Sequence, residues 1–287
     1  MTRELFVVSA IPELRERVRG WRSNGERVGF VPTMGNLHQG HLDLVKACLK
    51  RADRCVVSIF VNPMQFGVGE DYEAYPRTLQ EDRKKLLAAA ADLLFAPEVA
   101  TIYPQGDREQ TRVEVPGISD ILCGASRPGH FVGVATVVCK LFNLVQPDLA
   151  VFGEKDFQQL MVIRRMVDDL AFPVEILGMP TVREADGLAR SSRNGYLETQ
   201  QRALAPNLYR VLQETAEALS HGEANYARLE QTARETLDRL GFRTDYFTIR
   251  QARDLASPEG PGQNLVILAA AYLGRTRLID NLTVEHL

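Results

Sequence analysis

Two histidines three positions apart, His38 and His41 in the stretch PTMGNLHQGH, are the residues of this sequence best suited to chemistry. Metal binding, acid–base catalysis, phosphate contact and a plain polar turn can all use this composition. A zinc site needs a third ligand and usually the helical H-E-x-x-H spacing, and Gly40 between the histidines argues against an established helix there. A phosphate site needs less. Gly35 and Gly40 let backbone approach an anion, a helix beginning near His41 turns its positive end outward, and imidazoles donate to phosphoryl oxygens. There is no G-x-x-x-x-G-K-[ST] and no G-x-G-x-x-G after the first apolar run, so a nucleotide would need another kind of loop.

Further polar groups recur at comparable places. In GEKD, Lys155 stands at a helix start, where a cation is misplaced unless an anion compensates it, while Asp156 fits an N-terminal cap equally well. Gln159 is i+4 from Lys155 and i+3 from Asp156, so it shares their helical face, whereas Gln158 points elsewhere and packs or is solvated. FVNPMQF carries Asn62 and Gln65, neutral amides that can hydrogen-bond a small polar substrate or cap a loop. In SSRN, Ser191, Ser192 and Arg193 suit a phosphate or a polar turn.

The elements that must position these groups alternate. Strand-like runs at 27–33, 55–61, 92–96, 149–152 and 174–177 are separated by helical patterns at 42–52, 77–91, 132–145 and 156–170, which predicts a parallel, doubly wound α/β sheet. Four of the five strand exits are rich in Gly, His, Gln, Lys and Arg, where such a sheet binds its ligands. After about Met179 the pattern changes to helices at 198–219 and 226–240, then strands at 246–250, 265–272 and 275–280, the last two joined by a Leu-Gly turn. A smaller α+β domain is expected there, after the hinge-like GMPTVREADG.

The 287 residues, 45% apolar and 25% charged with a formal net charge of −3, describe an ordinary globular chain with no bulk attraction to nucleic acid or membrane surfaces. MTRELFVVSAIPELRERVRG lacks a signal-peptide pattern and no apolar run reaches 18 residues, so a cytoplasmic location without a membrane span is expected. Cys48, Cys55, Cys123 and Cys139 form no C-x-x-C pair and read as buried thiols of a reducing compartment.

PTMGNLHQGH, FVNPMQF, YPRT at Tyr75–Thr78, RPGHFVGVATVV, FGEKDFQQL, VREADGLA and SSRNGYL, in this order over nearly the whole chain, resemble the pantoate–β-alanine ligase family of nucleotidyltransferases with a HIGH-type signature. One HxGH alone is shared with class I aminoacyl-tRNA synthetases and other adenylyl or cytidylyl transferases; seven ordered segments are specific. The resemblance implies a Rossmann-like ATP- and pantoate-binding catalytic domain at 1–183 and a smaller α+β lid domain at 184–287. It implies ATP-dependent condensation of pantoate with β-alanine through an enzyme-bound pantoyl adenylate, with ATP as substrate, Mg2+ on its phosphates, and a cytoplasmic homodimer.

Residue by residue, it places ATP against Met34, Gly35, Asn36, Leu37, His38, Gln39, Gly40 and His41. Gly153, Glu154, Lys155 and Asp156 join them, as do Val182, Arg190, Ser191, Ser192 and Arg193. His41 corresponds to the proton donor, and His38, Lys155 and Arg193 are the other candidate catalytic groups. Gln65 is the shared contact of pantoate and β-alanine, Gln159 a pantoate contact, and Asn62 a further residue expected to bind pantoate or β-alanine. Glu81 or Asp82 stands near the metal. Arg190 departs from the family, which commonly has Leu or Met there; it leaves open a backbone contact or a guanidinium stacked on adenine. The runner-up is a nucleotidyltransferase of the same superfamily with another acceptor, although a phosphate acceptor would call for cations at Gln65 and Gln159. A catalytically inactive nucleotide-binding regulator would have lost His38, His41, Lys155 or Arg193, and all four are present.

Overall fold

A computed structural model describes residues 4–67, 69–107, 109–260 and 262–285. The chain divides into two compact units, Met1–Glu154 with Gln159–Pro180, and Lys155–Gln158 with Thr181–Leu287. The first carries β1 (Phe6–Val8), β2 (Val28–Thr33), β3 (Arg54–Ile59), β4 (Leu93–Phe95), β5 (Leu149–Gly153) and β6 (Glu175–Met179). Its helices are α1 (Ile11–Ser23), α2 (Gln39–Leu49), α3 (Leu79–Ala88), α4 (Val99–Ile102), α5 (Cys123–Ser126), α6 (His130–Val145) and most of α7 (Phe157–Asp169).

All six strands run parallel in the order β1-β4-β3-β2-β5-β6. Strands covered on both faces read as continuous apolar runs, and Val28, Phe30 and Val31 of β2 and Cys55–Val57 of β3 are indeed fully buried. Helix α6 buries Phe131, Val134, Ala135, Val138, Leu141, Phe142 and Val145, residues on several of its faces, which makes it a core helix.

The second unit contains α8 (Thr199–Leu204), α9 (Asn207–Ser220), α10 (Tyr226–Arg239) and an antiparallel sheet of β7 (Arg243–Gln251), β8 (Leu265–Leu273) and β9 (Thr276–Val284). Leu208, Val211 and Leu212 of α9 and Ala233 and Leu237 of α10 pack on Leu265, Ile267, Ala269 and Ala271 of β8.

Several sequence expectations need correction. The single helix expected over 198–219 is broken between α8 and α9 by Pro206, which cannot donate to the preceding turn. The β8–β9 turn is Gly274-Arg275 rather than Leu-Gly, since Leu273 pairs with Thr276. β1 and α1 escaped the reading altogether: three residues are too few for a periodic signal, and α1 buries only Leu14, Val18 and Trp21 in a charged segment. Among the described residues all four cysteines are free, Cys139 being only partly buried, and no helix is long and apolar enough to cross a membrane.

Candidate active site

Strands β2 and β5 are neighbours although far apart in sequence, and the connections leave them in opposite directions along the sheet. This is the topological switch point, where open α/β sheets bind ligands. Only Gly29 and Phe30 pair with β5, at Leu149 and Ala150; β2 pairs with β3 along all six residues, and β5 continues beside β6. The ladder between β2 and β5 therefore stops short of their carboxyl ends. MGNLHQGH leaves β2 at this point.

The loop folds tightly because Gly35 (φ +86°) and Asn36 (φ +49°) are consecutive left-handed residues. Its backbone is held by Asp82 of α3, which is 0% exposed. One carboxylate oxygen accepts from Asn36 N–H at 2.9 Å and the other from Leu37 N–H at 2.8 Å. The Thr78 hydroxyl adds a 3.1 Å bond, and Lys85 donates to the Leu37 carbonyl at 2.6 Å. Both Asp82 oxygens are thus engaged in the loop, a different task from the metal contact expected of it; Glu81, one residue earlier, is exposed. Because Asp82 takes those N–H groups, the donors left for an anion are the first amides of α2, at Gln39 and Gly40, which a helix cannot satisfy internally.

Helix α2 starts at Gln39, so Gly40 lies within it, contrary to the expectation of a later start. His38 is its N-cap and His41 its third residue. The His38 backbone N–H donates to His41 Nδ1 at 3.2 Å. A nitrogen that accepts cannot carry the ring proton, so neutral His41 presents its N–H at Nε2. The two rings lie 4.1 Å apart between centroids.

Beyond β3, Pro63–Gln65 form a 3-10 turn capped by Asn62, whose Oδ1 accepts from Met64 N–H at 3.3 Å. Asn62 also donates to Gln65 Oε1 at 3.1 Å and to the Gly133 carbonyl at 3.0 Å, and accepts from the Tyr103 hydroxyl at 2.7 Å. Both its donors and its oxygen are thus used within the protein. Asn62 positions Gln65 and has no group left to be the ligand contact expected from sequence. With its oxygen held, Gln65 offers its amide N–H2, already 3.0 Å from Met34 Sδ, as a donor suited to a carboxylate. Tyr103 was missed in the sequence. Burial, assisted by Asp107, pushes its phenol well above the ordinary value, keeping it a proton donor to Asn62.

Helix α6 passes so close to this turn that a Cβ on Gly133 would collide with the Met64 carbonyl. Gly133→Ala is therefore expected to shift the turn and to lower stability by about 1–3 kcal/mol, which a thermal melt checks.

The candidate residues of the second unit form their own cluster. Val182–Arg190 is a hairpin closed by Arg190 N–H on the Val182 carbonyl (2.9 Å) and by an Arg183–Ala189 bridge. The Arg190 guanidinium reaches Glu184 at 2.9 Å across this hairpin, which gives the unusual side chain a partner of its own. Ser191 Oγ accepts from Arg193 N–H at 3.2 Å and caps the 3-10 turn Ser192–Tyr196.

Strand β9 organises the rest with Asp280 and Asn281, two polar residues that sequence reading passed over in LIDNL. Asp280 binds the Arg183 fork at 2.6 and 3.0 Å, and Asn281 donates to the Lys155 carbonyl at 2.9 Å. The Lys155 ammonium lies 3.7 Å from Asp156 and is only 18% exposed. Gln158 is buried, as a packing residue should be, while Gln159 on α7 is half-buried.

A family profile described as pantoate-beta-alanine ligase matches residues 6–283. The pantothenate synthetase of Ectopseudomonas mendocina is 60% identical over 278 residues, 97% of this chain and 98% of the relative. That of Shewanella loihica is 58% identical over 282 residues, 98% and 100% of the two chains. The crystal structure of pantothenate synthetase from Thermus thermophilus superposes with a TM-score of 0.91 at 49% identity, covering 98% of this chain and 99% of that one. The Francisella tularensis pantoate-beta-alanine ligase, complexed with beta-gamma ATP and beta-alanine, superposes with a TM-score of 0.82 at 35% identity over 97% of each chain. An HxGH helix start at the switch of a parallel sheet, in a chain matched nearly from end to end, places this protein in the pantoate–β-alanine ligase family.

Proposed function

We infer that the chain is the ATP-dependent ligase that condenses pantoate with β-alanine, giving pantothenate, AMP and pyrophosphate. The match of residues 6–283 to the family carries this reading. A pantoate carboxylate oxygen attacks the α-phosphorus of ATP, the bond to the β-phosphate oxygen breaks, and pyrophosphate leaves. The β-alanine amine then attacks the acyl carbon of the adenylate, loses a proton and expels AMP.

The roles of individual residues are proposals from their chemistry. The amides of Gln39 and Gly40 and His41 Nε2–H are suited to phosphoryl oxygens, on which charge accumulates in the first step. His38, Lys155 and Arg193 supply further donors, and Val182 with Arg190, Ser191, Ser192 and Arg193 the nucleotide contacts of the hairpin and turn. Gln65 takes pantoate and β-alanine, and Gln159 pantoate. Mg2+ is proposed to enter on the ATP phosphates, as Mg2+ usually does with one or two carboxylates at most. The described residues hold no group of three or more potential metal ligands, so the nucleotide would supply most of the coordination. A cytoplasmic homodimer is proposed from the family resemblance, with sedimentation as its check.

The test is pantoate-dependent exchange of labelled pyrophosphate into ATP without β-alanine. Exchange is expected; folded protein that shows none has no adenylate mechanism. In the same assay Gln159→Ala removes a hydrogen bond to a charged group, of about 1.5–3 kcal/mol. The pantoate requirement should rise at least tenfold, about 1.4 kcal/mol, with little change for ATP. Equal changes for both substrates would remove Gln159 from the pantoate site.

A further inference from the structure

The RPGH segment supplies Arg127 and His130, two side chains that neither chemical step uses, and both converge on one atom. The Arg127 fork donates to both Glu70 oxygens, Nε to Oε1 and Nη2 to Oε2, at 2.6 Å each. Nη2 also donates to the main-chain carbonyl of Gln65 at 3.3 Å, and Nη1 to His130 Nε2 at 3.0 Å. His130 Nδ1 donates to the same Gln65 carbonyl at 2.8 Å. The neighbours decide the tautomer: the nitrogen facing a carbonyl donates and the one facing a guanidinium accepts, so neutral His130 carries its proton on Nδ1. Burial alone would raise the Glu70 carboxyl, but the Arg127 fork outweighs it and holds the carboxyl below its ordinary value. Glu70 therefore stays an anion at neutral pH and keeps the fork aimed.

We propose that Arg127 and His130 are positioning residues for pantoate, acting by holding the main chain of Gln65 so that its side-chain amide meets the substrate. This rests on Gln65 being the pantoate contact. Gln65 is then pinned at both ends, its side-chain oxygen by Asn62 and its carbonyl by the Arg127–His130 pair. Its amide N–H2 then faces Met34 Sδ, a weak acceptor that a substrate oxygen can displace. A clamp of this kind acts on the substrates that Gln65 contacts and spares ATP. A brace that merely stabilised the unit would affect ATP and pantoate alike.

The experiment is pyrophosphate exchange with pantoate and ATP titrated separately, on His130→Ala, His130→Asn, Arg127→Lys, Gln65→Ala and the Gln65→Ala/His130→Ala double variant, each checked for folding by its thermal melt. His130→Ala is expected to raise the pantoate KM roughly tenfold, the loss of one buried hydrogen bond, and to change the ATP KM by less than about twofold. His130→Asn sets an amide N–H where Nδ1 stood and should recover most of that loss. Arg127→Lys keeps a charge opposite Glu70 without the fork and should give a smaller shift of the same selectivity.

In the Gln65→Ala background, removal of His130 should cost nothing further, because groups acting through one another are non-additive. Equal shifts for both substrates, no recovery in His130→Asn, or additive losses in the double variant would each overturn the proposal. Should Gln65→Ala alone leave the pantoate KM unchanged, the reading of Gln65 itself fails and the clamp with it. A Gln65→Ala effect without a His130→Ala effect removes the clamp only.

Discussion

His41→Asn is expected to reduce pantoate-dependent pyrophosphate exchange by about two to three orders of magnitude and to leave the thermal melt nearly unchanged. Asparagine separates the two jobs of the imidazole. Its side-chain oxygen falls near the Nδ1 position and can still accept from the His38 N–H, so the helix start stays closed. Nothing in asparagine replaces the Nε2–H. A donor aimed at developing charge is worth about 3–4 kcal/mol of barrier, far more than a helix cap. His41→Ala loses both and should add a stability cost of about 1 kcal/mol. If the asparagine variant keeps its exchange rate, Nε2–H is not the phosphoryl donor. If it melts much earlier, the histidine is chiefly architectural.

Asp82→Ala should have the largest effect on stability of any single change near the site. It deprives the Asn36 and Leu37 amides and the Thr78 hydroxyl of their acceptor, a carboxylate that is itself wholly buried. Leaving a buried donor without its acceptor costs about 1–3 kcal/mol, and Asp82 serves three donors at once. Asp82→Asn is no remedy, since its N–H2 turns a donor toward amides that need an acceptor. A melting curve should show the loss, and the ATP requirement of surviving protein should rise, because Gly35 and Asn36 keep their left-handed turn only while the loop is held. An unchanged melt would mean that the loop is fixed by something other than Asp82.

The sheet was legible in the sequence because its inner strands β2 to β5 are buried on both faces and so appear as bare apolar runs. The edge strand β1 was not, being three residues long with Val7 exposed. His38, His41, Gln65 and Gln159 could be singled out because polar residues following apolar strands are conspicuous. What could not be read was the division of labour. Asn62 and Gln65 look alike in FVNPMQF, yet Asn62 has spent its hydrogen bonds on Tyr103, Gly133 and Gln65, partners up to 71 residues away. Asp82 sat in a charged EDRKK run typical of a solvated face, and only the fold reveals that it points inward. Long-range hydrogen bonds leave no periodic trace.

The strand order also bears on how this protein is made. β2, β3 and β4 lie within residues 28–95 and can assemble as soon as they leave the ribosome, but the other edge of β2 waits for β5, some 120 residues later. Pairing over such a separation is slow, and an unpaired parallel edge invites wrong partners until it is covered. The helix-start histidines thus emerge early beside a gap in the sheet that is filled only after α6 has been synthesised. The antiparallel sheet, by contrast, draws its three strands from residues 243–284 and can close as one local event. During translation that edge of β2 therefore stays open from the completion of β4 until β5 is made, the interval in which wrong strand pairing is most favoured.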